Sequence, residues 1–253
     1  MSKRKFFFFI PWVLLVVNCG GGSVDSSDLK TQGIHATVRI GASESTTYVD
    51  ARLTAGGPNG SDVELSLGDR LTATAYGETK LLRREPQLFG AYDSYIVEFQ
   101  DNIPGEVLRL NLSRESDPDA PNSYITIPAT VNVTAPSGDG VTTVAIDETV
   151  DLVWDRNYEG DVTILVGLSC TALGEGKERI SFSSDTTISD QGSFSFTFFE
   201  SVDVDSRNEI DTDYDCEGRA SIERLEEGVL DPNFDGGNIK ISQYAAVKFV
   251  VYH

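Results

Sequence analysis

Residues 162–170 read Val162-Thr163-Ile164-Leu165-Val166-Gly167-Leu168-Ser169-Cys170, and Val162, Ile164, Val166, Leu168 and Cys170 fall at every second position. Successive side chains of a strand point to opposite faces, whereas a helix brings a side chain back to the same face only after three or four residues. A run at this period specifies a half-buried strand. The same period recurs in Ala36, Val38 and Ile40, in Leu108, Leu110 and Leu112, and in Phe194, Phe196 and Phe198. Between such runs stand turn-forming clusters, among them Gly56-Gly57-Pro58-Asn59-Gly60 and Pro136-Ser137-Gly138-Asp139-Gly140. No long amphipathic helix interrupts them, and Ser221 to Leu230 reads as a strand leaving Cys216. The expected class is all-β, with elements that cover one another as antiparallel sandwiches.

Polar and proline-rich composition sets the expected division. Asp117-Pro118-Asp119-Ala120-Pro121 punctuates the chain between two alternating regions. The expectation is a first sandwich over 30–115, a linker over 116–122 and a second sandwich over 123–253, without a sequence repeat between them.

The N-terminus has a different composition. Lys3, Arg4 and Lys5 precede the apolar stretch from Phe6 to Val17, the layout of a signal peptide. Interrupted by Pro11, this stretch falls short of the ~20 apolar residues that a spanning helix needs. Val16, Val17, Asn18 and Cys19 then resemble the bacterial lipoprotein signal, with Asn18 where that family carries Gly, Ala or Ser. The resemblance implies a leader over 1–18, diacylation of Cys19, and, with Gly20 following the cysteine, sorting to the outer membrane of a Gram-negative bacterium. Gly20 to Ser23 and the polar run to Asp28 read as a flexible tether over 19–29.

The 253 residues carry 20 Lys plus Arg against 40 Asp plus Glu, a net charge of −20. Removal of the three basic leader residues leaves 17 against 40, about −23, which disfavours nucleic acid and anionic lipid surfaces as partners. With Cys19 assigned to lipid, Cys170 and Cys216 form an even pair in an exported chain, both at inward-facing positions, and are expected to be bridged.

Tyr214 stands two residues before Cys216, the spacing of the tyrosine corner, so the second region resembles immunoglobulin-like sandwiches. Trp154 precedes both cysteines instead of lying between them, so the resemblance is one of architecture. The remaining pattern resembles uncharacterised proteobacterial lipoproteins.

Catalytic signatures are sparse. The two histidines are His35 and the terminal His253, and no nucleophile elbow, paired-histidine zinc motif or phosphate loop occurs. With 40 acidic residues, paired carboxylates carry no signal for glycoside hydrolysis. Asp231, Asn233, Asp235 and Gly236 match positions one, three, five and six of a calcium loop, but Ser242 occupies the closing position and the flanks predict strands. The same cluster also reads as a turn. The acidic stretch from Asp203 to Glu217 reads as a solvated hairpin guarding an edge strand. Trp154 continues the Leu152 alternation into the core, leaving Tyr158 as the expected exposed ring of the second region; Tyr92 and Tyr95 are further aromatic candidates for stacking on sugars.

These features describe a non-enzymatic envelope protein, tethered to the membrane through lipid and binding another protein or a surface polysaccharide. The alternative expectation is a calcium-stabilised carbohydrate-binding or adhesion module, with a periplasmic hydrolase third.

Overall fold

The computed structural model describes residues 22–43, 45–66, 68–85, 93–137, 140–174, 178–203 and 205–253. Residues 1–18, expected as a leader, and Cys19 lie outside the described residues, as does Tyr92. The first half forms β1 (Val24–Asp25), β2 (Ile34–Ser43), β3 (Thr46–Ala55), β4 (Ser61–Glu64), β5 (Arg70–Ala75), β6 (Glu78–Leu81), β7 (Arg83–Glu85), β8 (Ser94–Phe99), β9 (Val107–Ser113) and β10 (Ala120–Thr126). The second half adds β11 (Val133–Ala135), β12 (Thr142–Ala145), β13 (Val150–Trp154), β14 (Asp161–Thr171), β15 (Arg179–Ser189) and β16 (Ser193–Phe196). It continues through the short helix α1 (Phe198–Ser201) to β17 (Cys216–Glu227) and β18 (Gly236–Tyr252). The chain is an all-β sandwich protein, as its alternation requires.

One large sheet runs β1-β4-β3-β2-β18-β17-β14-β15, with β8 joined to β3, β7 to β8 and β12 to β18. A four-stranded sheet, β10-β9-β5-β6, and a three-stranded sheet, β11-β13-β16, complete the two sandwiches. Pairing is antiparallel except between β1 and β4, β2 and β18, and β12 and β18.

The 17-residue β18 is the element that joins the two halves. At about 3.3 Å per residue it spans roughly 55 Å. Its first half pairs with β2 over Gly236 to Gln243, and its end pairs with β12 over Phe249 to Tyr252. Ile239 and Ile241 enter the first core, while Val247, Phe249 and Val251 enter the second. All five share one parity, so one face of an unbroken strand floors both cores. Gln243 has the same parity between them and is 2% exposed. Its amide donates to Pro128 O at 2.9 Å and to Asn102 Oδ1 at 2.9 Å, and its Oε1 accepts from Asn102 Nδ2 at 3.0 Å. A polar side chain satisfied in this way closes the seam between the cores. At the start of β18, Gly237 has φ +125°, and a Cβ there would stand 1.8 Å from Ala36 O, so this close crossing over β2 requires glycine.

This arrangement corrects the division at 116–122. Ala120 is buried and pairs with Leu112, and Ile125 pairs with Leu108, so the expected linker runs directly into β10 of the first sandwich. Ile125, Ile127, Phe234, Ile239 and Ile241 all belong to the first core, although they follow residue 122. Proline and aspartate density marks a surface turn here, not the end of a folding unit.

The polar N-terminal segment is also folded from Val24 onward. β1 pairs with β4, and Ser26 is fully buried, donating to Asp69 Oδ2 at 2.7 Å. The guanidinium of Arg114 reaches Asp69 at 2.6 Å and donates to Ser26 O at 2.6 Å, Leu29 O at 3.0 Å and Thr31 Oγ1 at 3.2 Å. A buried ion pair therefore clamps a stretch whose composition suggested a free tether. A further correction falls at Phe198, which lies in α1 and not in a strand. Thr197 Oγ1 accepts from Glu200 N at 3.2 Å, capping a helical turn where the Phe194, Phe196 alternation stops.

Candidate functional site: the open sheet face and the networks beneath it

The second sandwich is built on β15-β14-β17-β18. Val162, Ile164, Val166, Leu168 and Cys170 of β14 face its core, together with Ala220 and Ile222 of β17. Cys170 and Cys216 form a disulfide within this core, as their inward parity predicts. Trp154 is buried, and its Nε1 donates to Asp190 Oδ1 at 2.8 Å.

Beneath the sheet lies a polar node absent from the sequence reading. Arg224 is fully buried, in the parity of Ala220 and Ile222. Its Nη1 donates to Thr130 O and Asn157 Oδ1, both at 2.7 Å, and to Ala129 O at 3.1 Å. Its Nη2 donates to Asp155 O and Asp190 Oδ2, both at 2.8 Å. Tyr158 covers this node with its ring centroid 5.3 Å from the guanidinium, and its hydroxyl donates to Glu226 at 2.6 Å. Burial, and then the bond to the Glu226 carboxylate, push the phenol up to about 12. Tyr158 is therefore a tied-down lid over Arg224. The half-exposed rings of the second half are instead Phe199, Tyr214, Tyr244 and Tyr252.

Among the described residues, no strand covers the opposite face of the same sheet. Cross-strand rows there run Ser183-Gly167-Arg219-Lys248 and Ser181-Ser169-Glu217-Val250 across β15, β14, β17 and β18. Gly167 contributes no side chain, and a groove of about 520 Å³ lies over it, bordered by Val141, Ser169, Arg219, Lys248 and Val250. Arg179 reaches Glu217 at 3.3 Å and donates to Ser169 O at 3.0 Å, closing one end. Leu165 and Tyr244, both exposed, continue the face along the strands. A largely polar, charged face with a groove and a few exposed apolar side chains can bind a partner.

The residues singled out for calcium serve as a turn. Asp231 is 2% exposed; its Oδ2 accepts from Asn122 N at 2.7 Å and its Oδ1 from Asn233 N at 2.8 Å. Asn233 Nδ2 donates to Asp119 O at 2.6 Å, and Asp235 N donates to Ile34 O at 2.9 Å. Both carboxylate oxygens of Asp231 thus accept from backbone amides, binding the β17–β18 loop to β10. Among the described residues, no group of three or more His, Cys, Asp or Glu side chains is placed to hold a metal ion.

The acidic stretch from Asp203 packs on the end of the β14–β15 hairpin, where Asp211 N donates to Thr171 O and Leu173 N donates to Glu209 O. It precedes β17, which pairs on both sides, so it guards no edge. Tyr214 is 42% exposed in the turn before β17, not buried beneath a corner. His253 Nε2 lies 3.5 Å from Cys216 Sγ, a sulfur already in the disulfide, and His35 stands near the start of β2. Tyr95 is buried, with its hydroxyl donating to Val63 O and accepting from Leu65 N, and so presents no stacking face.

No family model matches the sequence, and no curated protein is similar to it. Among solved structures, the FN1–FN3 domains of chicken CNTN1 are 14% identical, with 85% of this chain and 65% of that chain covered and a TM-score of 0.20. The Ig1–Ig3 ectodomain of mouse nectin-like molecule 4 is 10% identical, covering 87% and 64%, with a TM-score of 0.24. The Yersinia pseudotuberculosis adhesin InvE is 11% identical, covering 87% and 60%, with a TM-score of 0.21. The chain spans less than two thirds of each of these three, and neither partners nor activity transfer from them at such scores.

Proposed function

We propose that this chain is a non-enzymatic envelope lipoprotein, anchored through Cys19 in the outer membrane of a Gram-negative bacterium, whose fused sandwiches present a sheet face to a protein or a surface polymer. The observation that carries the reading is the uncovered face of β15-β14-β17-β18. The five buried charged side chains among the described residues, Asp69, Arg114, Asp190, Arg224 and Asp231, are all engaged in internal bonds. The outward side of the sheet, by contrast, keeps a groove over Gly167.

The folded N-terminus supports the anchoring half of the reading. Only four residues separate Cys19 from Val24 of β1, five steps along the chain and a reach of about 17 Å. A lipid on Cys19 would hold the first sandwich directly against the membrane surface, and β18 would carry the second sandwich outward.

Mass spectrometry of the membrane-extracted chain tests the anchor: a diacylglyceryl group on Cys19 and loss of residues 1–18 are expected, and an intact leader overturns it. A photo-crosslinking residue at Ser169, on the open face, is expected to capture a defined envelope component in cells. The same residue at Asp151, on the opposite sheet, is expected to capture none. Equal labelling from both positions removes the assignment of the face.

A further inference from the structure

β15 ends the large sheet, and none of the described strands pairs with its outer edge. Long exposed edges are normally blunted by proline, a bulge or repeated charge, because their free amides and carbonyls template pairing with another chain. β15 carries none of these. It runs eleven residues with unbroken register against β14, contains no proline, and has one acidic and one basic residue, Asp185 and Arg179. In a chain of net charge −20 it is a neutral strip.

Its sequence, Arg179-Ile180-Ser181-Phe182-Ser183-Ser184-Asp185-Thr186-Thr187-Ile188-Ser189, is self-complementary about Ser184. An antiparallel copy centred there sets Ile180 opposite Ile188, Phe182 opposite Thr186, Asp185 opposite Ser183 and Arg179 opposite Ser189. No like charges meet, and the two Ile pairs fall on the core-facing side. Ile180, Phe182 and Ile188 are only partly buried against the second core, in the strand that ends the sheet. A second copy would continue that core across the edge. A twofold contact demands such self-complementarity of one patch.

We infer that β15 is a homodimerisation edge: two copies of this chain pair antiparallel through residues 179–189, centred on Ser184, and merge their large sheets into one. The inference does not depend on the lipid anchor. It would also place the two open faces side by side on one continuous sheet.

The test uses the full chain extracted in detergent. In this register the two Ser184 Cα atoms stand about 4.5–5.5 Å apart, within disulfide range. The two Ser181 Cα atoms stand about 20 Å apart. Ser184→Cys is therefore expected to give a covalent dimer on a non-reducing gel, and Ser181→Cys and the unsubstituted chain are expected to give none. Native mass measurement supplies an independent arm. Ser184→Lys and Ser184→Glu alone should each run at the mass of one chain, and their mixture should recover twice that mass. Equal cross-linking at both positions, no cross-linking at Ser184, or mass unchanged by either charge overturns the inference.

Discussion

Replacing Arg224 by methionine is expected to be among the most damaging single changes in the second sandwich. The side chain makes five hydrogen bonds, and both it and the Asp190 carboxylate have no exposed side-chain surface. Methionine preserves most of the volume but leaves three backbone carbonyls, of Ala129, Thr130 and Asp155, without this donor. Asp190 would keep its bonds from Trp154 Nε1 and Gly192 N but lose its countercharge. Removing one partner of a buried pair costs about 3–5 kcal/mol. For a chain of this size, that is a fall in Tm of roughly 6–20 °C. Urea unfolding followed by tryptophan fluorescence reads the loss, since Trp154 touches the node directly. Adding Asp190→Asn to Arg224→Met removes the uncompensated charge and is expected to restore at least about 1 kcal/mol, a coupling that independent sites do not show. An Arg224→Met chain within about 1 kcal/mol of the parent, or a double variant no better than the single one, would refute the reasoning.

Reduction of Cys170–Cys216 reopens a loop of 46 residues and should lower stability by about 4 kcal/mol, seen as a drop in the thermal midpoint with reductant that Cys170→Ala/Cys216→Ala abolishes. Asp231→Ala strands the amides of Asn122 and Asn233 and is expected to cost about 2–3 kcal/mol in denaturant melts. In the unsubstituted chain those melts should not respond to calcium; a midpoint that climbs with calcium concentration would reinstate an ion site at this loop. Asp25 has its carboxyl lowered to about 2 by the hydroxyl of Ser66, then by the hydroxyl and amide of Ser27. A folded pKa below the unfolded 3.8 means the contribution is complete above about pH 4 and is lost as pH falls toward 2. The protection of the Ser27 amide, taken relative to its intrinsic exchange rate at each pH, should fall across that window, and Asp25→Asn should remove the step.

The all-β class was legible because alternation depends only on which side chains avoid water. The core parities of β2, β9 and β14 follow directly from it, as does the inward aim of Cys170 and Cys216. The buried networks were legible in part. Arg114 continues the parity of Leu108, Leu110 and Leu112, and Arg224 continues that of Ala220 and Ile222, and a charge at a core position implies a buried partner. Their partners, Asp69 and Asp190, were not legible, because 40 acidic residues offer no local reason to choose one. Asp231 was ambiguous for a related reason. The spacing of oxygen-bearing side chains that suits an ion also suits a turn, and only the positions of the Asn122 and Asn233 amides distinguish the two.

By itself, then, the sequence determined the all-β class, the inward faces of its main strands and the disulfide partners, since each is written in local period and composition. How the chain divides was decided by the tertiary structure alone. β18 runs through both cores on one parity, so a continuous strand unites what a proline-rich stretch seemed to separate. That outcome depends on pairing with β2 and β12, about 200 and 100 residues earlier, and period-two alternation is the same whichever neighbour a strand adopts.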